Sequence, residues 1–301
     1  MIPLLGINMS LVIKKNHRKL VVIFLFFPLL TGCVKLVTQF SPTLIPNLTQ
    51  TFFEECDSEL ARVSLPADLK LLEGLLKNDP QNKQLLTALC MGFTGYSMLF
   101  VEEKDPERAS FFYLRARSYG LKALGRKGSF LTEFGLNAQN IRERLKTFGE
   151  MELKTLFFTT MSWNAWINLN LDKPTALAQM GIAQACLERI LELNPDYFFG
   201  APHVLMGTIL AARPGLAGGD AVKARVYFEK AMQVSKGKFF LVHYYFARYY
   251  AVRTQDKELF LTLIKQVTQG HPGELKEVCL INSVMKEKAR KLLETTEDLF
   301  I

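Results

Sequence analysis

The sequence predicts an all-α protein, with helical hairpin repeats stacked into one superhelical array. Three observations carry that reading. Ala183, Leu187, Ile190 and Pro195 stand at offsets of four, three and five residues, and Ala224, Phe228 and Ala231 repeat the first two offsets. Residues spaced by four and three share one helix face, and a proline shortly after them ends the helix. The pattern returns elsewhere in the chain, and no alternating run bounded by turn signals reads as a strand.

Residues 1–32 read as an export leader. The basic stretch Lys14-Lys15-Asn16-His17-Arg18-Lys19 precedes an apolar run over residues 20–30, too short to cross a bilayer comfortably. Leu30-Thr31-Gly32-Cys33 follows and resembles the lipobox of bacterial lipoproteins. That resemblance implies cleavage before Cys33 and a diacylglycerol on its thiol. Acyl chains such as palmitate, there and on the freed amino group, supply the two lipid signals that stable anchoring needs. Met9 serves as a start as well as Met1, since residues 1–8 add nothing a leader requires. Under the proteobacterial sorting rule, Val34 in place of aspartate favours the outer membrane.

The formal charge is +8 over 301 residues, and subtracting the leader's four uncompensated basic residues leaves +4. That mild excess does not suit a nucleic-acid binder. Residues 33–50 contain Pro42 and Pro46 without a helical period, and read as a lipid-anchored tether or arm.

Residues 51–301 form the repeat domain. Asp68, Leu72, Leu75 and Pro80 carry the same offsets, and Ala109, Tyr113 and Ala116 follow the helix start Asp105-Pro106-Glu107. The sets begin 41, 74 and 41 residues apart. A tetratricopeptide (TPR) unit is about 34 residues, so these are TPR-like hairpins with longer helices or inserted loops. The wide gap holds two units, or one unit plus an irregular piece at 125–150. The last hairpin spans 239–253 and 256–269, and a charged helix at 278–299 caps the array. This gives four to five hairpins in one domain.

Residues 154–171 place Phe157, Phe158, Trp163 and Trp166 among Thr159, Thr160, Asn164 and Asn168, with no charge between Lys154 and Asp172. A surface helix would show one apolar stripe and one charged face. The segment is either a central helix packed on all sides or the lining of a polar, aromatic groove. Residues 239–253 hold seven Phe or Tyr, with His243 and Arg248 among them, more than one helix face needs for packing. Trp163, Asn164, Asn168, His203, Tyr244 and Arg248 are therefore the candidate ligand- or pore-lining residues, expected to face one cavity.

Chemistry has no matching signal. The loop 213–220, RPGLAGGD, follows no strand and leads to no Gly-Lys-Ser/Thr, so it is an inter-hairpin turn with Asp220 as N-cap. The histidines are scattered, no metal-ligand spacing occurs, and no nucleophile elbow is present. The sequence therefore predicts no catalytic residue, no metal, no cofactor and no enzyme. Beyond Cys33 four cysteines remain, either as buried thiols or with Cys56 and Cys279 as a disulfide. Asn47-Leu48-Thr49 fits a glycosylation sequon without meaning in a bacterial lipoprotein.

Several motifs in order point to a family. They are the lipobox, the Trp-rich helix before Asp172-Lys173, Leu193-Asn194-Pro195, and the loop Pro214…Gly218-Gly219-Asp220 leading into Ala224…Phe228-Glu229-Lys230-Ala231. Tyr249-Tyr250-Ala251…Asp256…Leu259-Phe260 completes the set. Together they resemble the T-component lipoproteins (TatT) of tripartite ATP-independent periplasmic (TRAP) transporters, from about Thr51 to Phe300. The resemblance implies a periplasmic homotrimer around a pore, which works with a solute-binding P-component and hands over a hydrophobic small molecule. Residues 125–150 are where this chain is expected to depart. The alternative is a TPR scaffold lipoprotein of an envelope or outer-membrane assembly complex, a monomer binding peptides in an open groove.

Overall fold

The computed structural model describes residues 43–133, 138–215 and 218–301, and residues 45–301 cluster as one unit. Cys33 and the leader lie outside the described residues. The longer helices are α1 (Leu44–Glu54), α2 (Ser58–Asn78), α3 (Lys83–Tyr96), α4 (Pro106–Leu124), α5 (Ala138–Leu145) and α6 (Glu150–Asn168). There follow α7 (Met180–Leu193), α8 (Tyr197–Ala212), α9 (Ala221–Ser235), α10 (Phe240–Tyr245), α11 (Lys257–Gln269) and α12 (Cys279–Glu294). Among the described residues there is no strand.

Polar caps set the helix starts. The side chains of Asp57, Asn82, Asp105, Asp220 and Asp256 each accept from first-turn backbone N–H groups that the helix itself leaves free. Two of these starts, at Asp105-Pro106 and at Asp220, are the predicted ones. Consecutive helices then pair: α3 with α4, α6 with α7, α8 with α9, and the α10 segment with α11. Ala109, Tyr113 and Ala116, Ala183, Leu187 and Ile190, and Ala224, Phe228 and Ala231 are all at most 1% exposed. Small residues at these contacts let the helices close. A Cβ on Gly207 of α8 would sit 3.0 Å from the Phe228 ring of α9.

The set at Asp68 behaves differently. Asp68, Leu72 and Leu75 are only half-buried, and α2 buries Ala61, Leu65 and Leu69 instead. Leu72 and Leu75 of α2 pack against Ile45 of the short α1 and Leu85 and Ala88 of α3, which cover that flank only in part. That flank opens onto a cavity. Two further stretches are more regular than the sequence suggested. The arm is helical from Leu44, and residues 125–150 contain a turn of helix at Arg126–Phe130 as well as α5.

The closing helix does more than cap. Cys56 and Cys279 form a disulfide across a separation of 223 residues. Lys276 pairs with Glu54 at 3.0 Å, Ser58 bonds to Glu287, and Lys288 Nζ donates to the Met98 carbonyl at 3.0 Å. α12 is thus fastened to the first helices as well as packed on α10 and α11. Cys90 and Cys186 remain free thiols, and burial pushes both up to about 12.

Candidate functional site

Two helices continue into π turns, α3 over Ser97–Val101 and α10 over Phe246–Ala251. Such turns recur at functional sites because they re-aim side chains without ending the helix. Glu102 and Glu103 follow the first, and Arg248 lies in the second. Glu103 Oε1 receives the Tyr244 hydroxyl, Arg248 Nη1 and Lys288 Nζ, each at 3.1 Å. Arg248 Nη1 also donates to the Tyr244 oxygen at 2.8 Å. Burial opposes ionisation of Glu103, yet Lys288 and Arg248 hold its carboxyl below the usual range. Glu102 behind it accepts from the Tyr113 hydroxyl, and burial raises its pKa. Both carboxylates also feel the charges of Lys288 and Arg248, so two acids face two cations. The cluster joins α3, α10 and α12 as a clasp.

The six predicted lining residues are not brought to one place. Tyr244 and Arg248 meet at the clasp. Trp163 is buried on α6, where its Nε1 donates to Gln179 Oε1 at 2.9 Å and the Arg117 guanidinium covers its ring at 4.5 Å. Asn164 donates from Nδ2 to the Thr160 carbonyl at 3.0 Å. His203, on α8, lies against Tyr227, and burial followed by the charge of Lys230 lowers its pKa. Three atoms of this set are buried without a protein partner: Asn164 Oδ1, Asn168 Oδ1 and His203 Nδ1.

Aromatic rings gather at the entry to α8. Phe198 touches Phe53, Phe158 and Phe239 edge-on at centroid distances of 5.4, 5.9 and 5.9 Å. Phe198, Phe199 and Gly200 hold φ of 46°, 59° and 81°, a left-handed run that costs non-glycine residues about 1–3 kcal/mol each. The ring contacts hold that run in place.

The most enclosed apolar space lies elsewhere. A cavity of about 120 Å³ opens between α1, α2 and α3, lined by Ile45, Phe52, Leu69, Met91 and Leu99, with Leu280 of α12 also contributing. Asp68 is its one charged group, and burial raises that carboxyl's pKa. None of the six predicted residues lines it. In the sequence Asp68 reads as a repeat position and not as a site residue, although an acid among Leu65, Leu69, Leu71 and Leu72 is a visible signal. Glu103 and Lys288 gave no local signal, because their partners come from distant parts of the chain.

The family model described as TRAP transporter T-component matches residues 54–300. An uncharacterized protein of Treponema pallidum (strain Nichols) is 24% identical over 279 residues, spanning 85% of this chain and 84% of that protein. The chain belongs to the TRAP transporter T-component family, an accessory component of transport systems of that type.

Proposed function

We propose that this chain is a lipid-anchored periplasmic lipoprotein that docks the solute-binding P-component of a TRAP-type system and passes a hydrophobic solute through a homotrimeric pore. The match to the T-component family over residues 54–300 carries this reading. Residues 1–32 direct export, Cys33 takes the lipid, and residues 33–50 tether a TPR-like superhelix to the outer membrane.

Two features support a path for solute. Buried polar atoms normally find a partner in protein or solvent. Asn164 Oδ1, Asn168 Oδ1 and His203 Nδ1 have none within the protein, which supports a polar path beside α6 and α8. The cavity between α1, α2 and α3, apolar apart from Asp68 and Thr49, supports a solute with an apolar portion. Light scattering on the purified chain tests the assembly. A mass of three chains is expected, and a monomer would favour the peptide-binding scaffold instead.

A further inference from the structure

The lining of the cavity between α1, α2 and α3 is mostly aliphatic and aromatic, its Thr49 hydroxyl is spent on the Ile45 carbonyl at 2.8 Å, and Asp68 is its one charged side chain. The other half-buried carboxylates among the described residues each have a donor. Glu73 has Lys70, Arg115 and Tyr119; Glu102 has Tyr113; Glu152 has Lys127; Glu188 has Arg142. The rest are held by side-chain or backbone donors, among them Gln50 and Lys276 for Glu54 and the capped backbone for Asp220 and Asp256. No donor among the described residues contacts Asp68. A carboxylate partly withdrawn from water without a donor is costly. An apolar cavity that carries such a group is complementary to a ligand with an apolar tail and a cationic head.

We propose that this cavity binds a primary alkylammonium, with its tail among the apolar side chains and its head on the Asp68 carboxylate. The assignment rests on the reading of this chain as a solute-handling component, and it names the class of solute. A neutral apolar ligand would leave the carboxylate unpaired, and a carboxylate ligand would be repelled by it. The room limits the tail. An engineered apolar cavity of about 150 Å³ takes benzene, so about 120 Å³ suits roughly five or six carbons. Gly95 of α3 keeps the space open: a Cβ there would meet nothing within 4 Å.

Isothermal titration calorimetry of the full chain at neutral pH, without detergent, tests this with n-hexylammonium, 1-hexanol and hexanoate. Hexylammonium should bind once per chain, hexanol about tenfold more weakly, and hexanoate not at all. Asp68→Asn should bring hexylammonium down to the level of hexanol, and Gly95→Leu should remove both by filling the cavity. Asp68 has no partner to lose, so its variant is expected to fold, which circular dichroism verifies. Should Gly95→Leu fail to fold, the comparison of hexylammonium with hexanol on Asp68→Asn decides alone. The proposal is overturned if hexanol or hexanoate binds the native chain as tightly as hexylammonium, if Asp68→Asn changes nothing, or if no probe binds. No P-component is present in this experiment, so such a failure leaves the docking reading standing. Conversely, a chain that binds hexylammonium but no P-component keeps this site and loses the transport role.

Discussion

Cys56 and Cys279 are bonded with their Cα atoms 5.0 Å apart, tying the start of α2 to the start of α12. Nearly the whole described array lies within the loop that this bond closes. Cross-links over such long loops restrict the unfolded chain most, by roughly 5 kcal/mol in the chain-entropy account. The double variant Cys56→Ser/Cys279→Ser should therefore lower the urea unfolding free energy by several kcal/mol. Reductant should do the same to the native chain and nothing to the variant. Equal midpoints for native and variant would refute this.

The Glu103 clasp ties the stretch after α3 to α12 by charge. Its carboxylate is about one third exposed, and Lys288 is more enclosed. Solvent screening keeps such a pair at roughly 1 kcal/mol. A double-mutant cycle of Glu103→Gln and Lys288→Met should return a coupling of that size, reduced in high salt. Additive effects of the two substitutions would show that the contact contributes nothing.

His243 makes the array acid-sensitive. It is 2% exposed, and burial lowers its pKa from 6.5 to about 4. Between those values the unfolded chain binds a proton that the folded chain does not. Stability is thus fully present above pH 6.5 and is lost as pH falls toward 4, by roughly 3 kcal/mol. His203, also lowered, acts in the same direction, whereas Glu102, raised by burial, acts in the opposite one. Urea midpoints at pH 7.5 and 4.5 should therefore differ less in His243→Gln than in the native chain. An unchanged difference would remove His243 from the account.

Two glycines separate packing from propensity. A Cβ on Gly120 of α4 would lie 1.9 Å from Thr159 Oγ1 and 2.9 Å from Cys90 Sγ, whereas one on Gly74 of α2 would meet nothing within 4 Å. Gly120→Val should destabilise by about 3 kcal/mol. Gly74→Ala should stabilise by up to about 1 kcal/mol through helix propensity. Thermal unfolding of the two variants distinguishes them, and similar shifts would contradict the close contact of α4 with α6.

The all-helical class and the buried faces were legible because offsets of four and three are local signals. Ala183, Leu187 and Ile190 need only their own helix to declare themselves. The Asp68 set misled for the same reason. Its spacing matched, but burial depends on what packs against the face, and Leu72 and Leu75 meet α1 and α3 beside a cavity. Tyr244 and Arg248 stood out by composition, yet Glu103 and Lys288, which give them their role, lie far off in sequence. The cavity was illegible for a related reason, since α1 begins in a proline-containing stretch that carries no helical period.

Docking is the centre of the account. The most direct measurement is a binding titration of the full chain with the solute-binding protein encoded beside a TRAP-type permease of the same organism. The account predicts saturable, stoichiometric binding. No binding up to about 1 mM, weaker than a transient encounter between partners, would contradict it.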